Sequence, residues 1–424
     1  MKSLKTLGAV AIGSIVLSAT YAVAIKDHST RLDVEDDGDR SVRHTVNGDR
    51  GEFVRRIDEN TLEATWRGGF ELTDNGNGIS SVEKKLEIEF EDDDEIRRAL
   101  FEKDGDGVEV SYFVDGDEQP AGADTDSAVS ALLLEFLRAS GVQSDERVAA
   151  LLKNGGVENV LTELEFLGGD HAFRLYAIAL TEQSELSDEE VTKLADSLQS
   201  IESDHDLRLA LRAILENETV SAETTPALIN AASGIESDHD LRLLVEAFAE
   251  RTLNTDAMDL ALDLYSRIES DHDLRVSAEA LLDNSDLSPA QAARILKTAA
   301  DTIESDHDMR LVLTQTAPMF SAEPALTDAW LDGFSALESG HDQRLSIEAV
   351  AEEAGHSSAA WTALIDASET IESDRDKRKA LEAIAANFGG DASLIAAYRT
   401  AADEIESERE RERALEAIGD VFEE

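Results

Sequence analysis

The sequence predicts a multidomain α+β protein, a small antiparallel β domain followed by an α-solenoid of about eight 34-residue helix-turn-helix repeats. Three observations predict it. An eight-residue phrase, Ile201-Glu202-Ser203-Asp204-His205-Asp206-Leu207-Arg208, returns at Ile235, Ile268 and Ile303, more loosely at Leu337, Ile371 and Ile405, and in degenerate form at Leu167. Its starting positions advance by 33 to 35 residues, and a fixed period of that size marks stacked repeats. The hydrophobic period is two from Ser29 to Val114 and becomes helical after Pro120. Finally, 424 residues with 42% hydrophobic content exceed one ordinary domain but suit a small domain plus an array that grows lengthwise.

In chain order, residues 1–24 read as an export signal. Lys2 and Lys5 supply the positive end, Leu7 to Leu17 the apolar stretch, and Ala22-Val23-Ala24 the small-x-small cleavage site. The apolar run stretches to Ile25, so an uncleaved signal anchor is the alternative and the only route to a membrane. Either places the bulk of the chain outside the cytoplasm, periplasmic or secreted. Residues 25–120 form the β domain, expected to hold about six strands. Leu86, Ile88 and Phe90 alternate with Glu87, Glu89 and Glu91, and Val108, Val110, Tyr112 and Val114 repeat the pattern of half-buried strands. Asn47-Gly48, Asn75-Gly76-Asn77-Gly78, Asp104-Gly105-Asp106-Gly107 and Asp115-Gly116 punctuate them as turns. A calcium-loop reading from Asp104 fails, because Glu109 and Asp115 stand where Gly and Glu are needed. Residues 121–166 are a helical lead-in, and 167–424 the solenoid repeats.

Charge excludes one class of partner. The net charge of -54 repels polyanions, which argues against nucleic acid. Arginine (27) outnumbers lysine (11) under a large carboxylate excess, a balance suited to concentrated salt, which would screen the self-repulsion. There is no cysteine, so disulfides, thiolate nucleophiles and cysteine-based zinc sites are excluded.

Within each repeat the phrase is expected to be the turn between two antiparallel helices. Ser203 with Asp206 has the spacing of a capping box, as do Ser237 with Asp240, Ser270 with Asp273, Ser305 with Asp308, Ser339 with Asp342 and Ser373 with Asp376. Leu211, Val245, Leu313, Ile347, Leu381 and Leu415 begin a core stripe, and Ala213 and its equivalents are read as close helix contacts. Arg208, Arg242, Arg275, Arg310 and Arg378 stand four residues after an acid on the same helical face, which predicts a ladder of Asp-Arg pairs. Gly340 breaks that pattern before Arg344. Lys377 with Lys379, and Arg411 with Arg413, replace leucines of earlier units as the polar outer face of a terminal repeat.

His171, His205, His239, His272, His307 and His341 hold one position in six successive turns. As metal candidates, His205, His239, His272, His307 and His341 are opposed by geometry. Neighbouring helices pack about 8–10 Å apart and a metal–imidazole bond is about 2 Å, so one ion is not shared between turns. Rings packed on the adjacent turn are the simpler reading, with pH sensing beside it.

The Ile-Glu-Ser-Asp-His-Asp phrase, the Tyr112-Phe113-Val114-Asp115-Gly116 end of the strand region, and Gly155-Gly156-Val157 to Leu164 together give a resemblance. The chain resembles the C-terminal repeat regions of bacterial membrane metallopeptidases of the beta-lactam-sensor type, and of related exported proteins without the peptidase. The resemblance implies architecture and no activity, since the chain has no His-Glu-x-x-His. Those repeats usually carry Tyr where this chain has His, which favours turn packing for that position. The 34-residue period also matches tetratricopeptide repeats, whose Trp, Leu-Gly and Tyr signature is missing here.

The expected function is a non-catalytic extracytoplasmic scaffold presenting a solenoid surface to a protein or peptide partner of the cell envelope, without cofactor. A cation-binding, salt-adapted surface protein is the alternative. An envelope hydrolase ranks below both, because the sequence offers no nucleophile elbow, zinc-protease motif or phosphate loop.

Overall fold

The structure, a computed structural model, describes residues 30–34, 40–92, 94–217, 220–284, 287–321, 323–353, 355–388 and 392–420. Residues 1–24, expected to be an export signal, lie outside them. The chain divides into two compact units at Glu185 and Leu186, so the degenerate first phrase at Leu167 belongs to the first unit.

That first unit is built on an antiparallel sheet of eight strands in the order β1-β2-β3-β4-β7-β8-β9-β10. They span Thr30–Val34, Arg40–Asn47, Arg50–Ile57, Asn60–Arg67, Lys85–Glu91, Ile96–Asp104, Gly107–Val114 and Asp117–Glu118, while β5 (Phe70–Leu72) and β6 (Ile79–Val82) form a separate hairpin. The ten strands among the described residues exceed the six expected. The alternation of β2 to β4 is masked by His44, Arg55 and Trp66, which sit at inward positions of the register. Tight turns fix that register: Asn47 pairs with Arg50 and Asp104 with Gly107, with Gly48 and Gly105 at positive φ. One row of inward residues runs Phe53, Ala64, Ile88, Ala99 and Tyr112, each opposite the next. The helix α1 (Ala123–Ser140) covers this face, placing Phe136 5.9 Å from Phe53 and 6.0 Å from Trp66 between ring centroids. Helices α2 (Ser144–Leu164) and α3 (Asp170–Gln183) complete the unit.

The second unit is a stack of helix pairs. The first helix of each pair is α4 (Asp188–Leu198), α6 (Thr225–Ala231), α8 (Thr255–Tyr265), α10 (Pro289–Thr302), α12 (Pro324–Ala336), α14 (Ser358–Glu369) or α16 (Ala392–Asp403). The second is α5 (Asp204–Glu216), α7 (Asp238–Ala249), α9 (Asp271–Leu282), α11 (Asp306–Gln315), α13 (Gly340–Ala351), α15 (Asp374–Asn387) or α17 (Glu408–Asp420). First helices contact the next first helix and second helices the next second helix, giving two layers. Between them lie Leu211, Val245, Leu313, Ile347 and Leu381, together with Ile214, Phe248, Thr316, Val350 and Ile384, all buried. No described helix is long and apolar enough to cross a membrane.

Two packing expectations change. Ala213, Ala247, Ala280, Ala349, Ala383 and Ala417 are half-exposed on the outer face of the second helices, and the buried small residues stand three positions earlier, at Ala210, Ser277, Ser346, Ala380 and Ala414. Helical spacing fixes which residues share a face but not which face meets a neighbour. Lys377, read as outward, is buried at 7% exposure, and Lys379 and Arg411 are half-buried, whereas Arg413 does face out.

Candidate functional site: the turns and outer face of the second helices

Each phrase begins with the backbone. Ser203 has extended φ/ψ, which ends the preceding segment and turns its hydroxyl onto the helix start, where Oγ accepts from Asp206 N–H at 3.3 Å. Ser237 caps Asp240 at 3.3 Å, Ser270 caps Asp273 at 3.4 Å, and Ser305, Ser339 and Ser373 cap Asp308, Asp342 and Asp376 at 3.3 Å. The reciprocal half of the capping box is made elsewhere. Where Ser187 with Glu190 and Ser288 with Gln291 close complete boxes, the backbone N–H groups at the phrase are met by a carboxylate from the preceding repeat. Asp204 Oδ2 accepts from Glu236 N at 3.1 Å and Ser237 N at 2.7 Å, and Asp238, Asp271, Asp306 and Asp374 do the same for the turns after them. Gly340 has no carboxylate to offer Glu372 and Ser373.

The arginine ladder exists, but it runs between repeats rather than back along one helix. Arg208 Nε meets Asp240 Oδ1 at 2.5 Å; Arg242 meets Asp273 and Arg275 meets Asp308 at 2.7 Å; Arg310 meets Asp342 at 2.9 Å, Arg344 meets Asp376 at 3.0 Å and Arg378 meets Glu410 at 2.5 Å. The acid four residues earlier is already occupied by the next turn's backbone. A second arm of the guanidinium reaches forward along its own helix, from Arg242 to Glu246 at 2.5 Å, Arg275 to Glu279 at 2.8 Å and Arg344 to Glu348 at 2.6 Å. Burial works against the charge on Arg275, but hydrogen bonds to Glu279 and Asp308 outweigh it and hold its pKa up. Burial likewise opposes the Asp308 carboxylate, and Ser305 and Arg275 keep its pKa below the ordinary value.

The histidines take the third arm. Nδ1 of His205, His239, His272, His307 and His341 lies 3.0–3.2 Å from Nη2 of Arg208, Arg242, Arg275, Arg310 and Arg344 respectively. Arginine has no acceptor, so Nδ1 accepts and the proton of the neutral ring sits on Nε2. His171 makes the same contact with Arg174 at 2.9 Å inside the first unit. Among the described residues no three His, Asp or Glu side chains converge as a metal would need. The five rings of the second unit are exposed and stand in a row.

That row borders an apolar one. His205, Leu209 and Ala213 are spaced i, i+4, i+8 on one helical face, and His239, Leu243 and Ala247, His272, Val276 and Ala280, and His341, Leu345 and Ala349 repeat the arrangement. In the turn at Ile371 the same face reads Arg375, Lys379 and Ala383. Leu209, Leu243, Val276, Leu311 and Leu345 are half-exposed. Acidic residues rim both ends of this layer, with Glu202, Glu236, Glu269, Glu304 and Glu338 at the turns and Glu216, Glu250, Asp283 and Glu352 at the opposite ends, all exposed.

Three further polar groups gave no signal in the sequence. In the first unit Arg147, 3% exposed, donates to Glu163 at 3.1 Å and to Asn77 Oδ1 at 2.7 Å, while Arg138 grips Glu163 through two bonds of 2.8 and 2.9 Å. Gly76, at φ 70°, lets the turn approach: a Cβ there would lie 2.7 Å from Arg147 Nη1. His44 packs against Phe53 and Trp66, burial lowers its pKa, and its Nε2 has no partner among the described residues. Ser321 Oγ lies 3.0 Å from His356 Nδ1, whose Nε2–H donates to Val350 O at 2.8 Å. This serine–histidine pair closes the end of α13, with the ring edge-on to both Phe320 and Trp361. All three rest on contacts between distant positions.

No family model, curated protein or solved structure matches this chain. The functional reading therefore stands on the geometry of the turns and of the face beside them.

Proposed function

We propose that this protein is a non-catalytic, extracytoplasmic interaction scaffold whose second helices hold a cationic amphipathic segment of a protein or peptide partner. The observation that carries the reading is the half-exposed row Leu209, Leu243, Val276, Leu311 and Leu345, set at repeat spacing between two carboxylate rims. Such a row fits a segment whose apolar side chains recur along its length, and the rims favour lysine or arginine on either side of them. The outer positions of the first helices are polar instead, with Asp196, Asp263, Asp332 and Asp366 exposed. Export is supported by Lys2, Lys5, the apolar run and Ala22-Val23-Ala24. Kinship with the repeat regions of sensor-type metallopeptidases is part of the same proposal and rests on the repeated phrase.

The test uses the full chain and a defined peptide of repeating leucine and lysine, with affinity followed by fluorescence anisotropy. A Leu243→Ser, Leu311→Ser, Leu345→Ser variant is expected to lose at least about tenfold in affinity while keeping its helical circular dichroism. Equal binding by the variant would overturn the reading.

Salt adaptation is a second reading, favoured by the charge of -54 and the 27 arginines against 11 lysines. It predicts a melting temperature that rises from low to molar salt as screening shortens the Debye length to about 3 Å. A flat curve would exclude it.

A further inference from the structure

We propose that the histidine row is a charge switch on this docking face, one that weakens the hold on a cationic partner as the pH falls while leaving the stack intact. The proposal rests on the docking face inferred above. His205, His239, His272, His307 and His341 each lie one helical turn from an apolar residue of the row, so a charge gained on the ring is gained at the rim of the binding surface.

The surroundings of His272 define what such a charge would meet. On its own helix stand Asp271, Asp273, Arg275 and Glu279, the last holding a second arm of Arg275. From α7, Arg242 holds Asp273 and Asp238 holds the Ser270 N–H; from the next turn, Asp308 receives Arg275 and Glu304 N–H binds Asp271. The segment between α8 and α9 brings Arg267, spent on the Ser233 and Ile235 carbonyls, and α10, which packs on α9, brings Arg294, paired with Asp263. From Glu269 to Arg275 the turn carries three carboxylates against one guanidinium, two net negative charges while the ring is neutral. A proton on Nδ1 removes one of the two and ends the bond from Arg275.

One turn already holds a permanent cation at this position. The turn at Ile371 carries Arg375 in place of the histidine, exposed and charged at every relevant pH. Its strut survives: Arg378 Nε still meets Glu410 at 2.5 Å, Nη1 still meets Glu382, and Asp374 still binds Glu406 N at 3.2 Å and Ser407 N at 2.8 Å. A cation here is therefore compatible with the turn, and the imidazole is not needed to aim the arginine. From Glu372 to Arg378 the charges cancel, so that turn resembles the protonated state taken one step further. What the row adds in the five preceding turns is a rim whose charge varies with pH.

The experiment measures the affinity of the full chain for the leucine–lysine peptide at pH 7.5 and pH 5.5, at one ionic strength, since lysine does not titrate in that interval. Wild type is expected to lose at least about fivefold in affinity at the lower pH, with unchanged helical circular dichroism. Replacing the five histidines by glutamine, which still offers the arginines an acceptor, should leave the affinity within about twofold between the two conditions. Replacing them by arginine should give weak binding at both. Should the fivefold variants fold poorly, His272→Gln with His307→Gln is expected to remove part of the pH response. Binding that is as tight at pH 5.5 as at pH 7.5, or the same loss in the glutamine variant, overturns the switch and leaves the docking face standing. Absence of binding at pH 7.5 overturns both.

Discussion

The first unit and the repeat stack secure their helices with the same chemistry, arginine on carboxylate, but in opposite ways. Around Arg147 the charge is concentrated: one carboxylate, Glu163, is 6% exposed and receives two arginines from α1 and α2. Burial acts against the Glu163 carboxylate, and the two arginines still hold its pKa below the usual value. In the stack the charge is distributed, one strut per junction, at side-chain exposures such as 14% for Arg275 and 17% for Asp308. A concentrated pair is expensive to break because the remaining partner, Glu163, is left buried, whereas a strut's carboxylate, at 17% exposure for Asp308, keeps some access to water. The brace therefore fixes one junction strongly, and the struts fix register repeatedly at small cost each.

The contrast is tested hardest at the brace. Arg147→Ala is expected to destabilise the protein by about 3 kcal/mol in urea unfolding, because it strips Glu163 of one partner and the turn at residues 75–78 of its anchor. Arg344→Ala, which loses bonds to Asp376, Glu348 and His341 together, should cost about 2 kcal/mol. A larger loss at Arg344 than at Arg147 would reverse the ranking. Gly340→Asp probes the struts by adding to them. The new Cβ lies 3.4 Å from Ile371 Cγ2 and 3.5 Å from Ser373 Cβ, ordinary contact distances, and the new carboxylate would supply the bond that Asp306 and Asp374 make at their own junctions. Removing a glycine and adding a cap should raise stability by about 1 kcal/mol.

The smallest effect is a pH dependence. Burial lowers the pKa of His44, so its folded state resists protonation. The unfolded chain takes up the proton first, below about pH 6.5, and the stability contributed by the neutral ring is present above that value and lost as the pH falls from there through the lowered folded pKa. His44→Phe should lessen the fall in melting temperature between pH 8 and pH 5; an unchanged fall would assign the response elsewhere.

Period and capping chemistry were legible because both are local. A serine followed by an acid three residues later announces a helix start wherever it occurs, and seven occurrences at near-constant spacing announce a stack. Direction was not legible. Asp271 and Asp308 are equally available to Arg275 from the sequence, one by helical spacing and the other by the repeat, and only the packed turn decides that Asp271 faces the next backbone. The inward burial of Lys377 and the outward position of Ala213 escaped for the same reason. The brace was invisible because Arg147 reaches Asn77 across 70 residues of sequence.

Whether the phrase connects neighbouring repeats or braces a single helix is decided most directly by a pair of double-mutant cycles. Arg275→Ala combined with Asp308→Ala should show a coupling of about 1–2 kcal/mol, while Arg275→Ala combined with Asp271→Ala should be additive within about 0.5 kcal/mol. The reverse pattern, strong coupling to Asp271 and none to Asp308, would return the ladder to a single helix and contradict the connecting role.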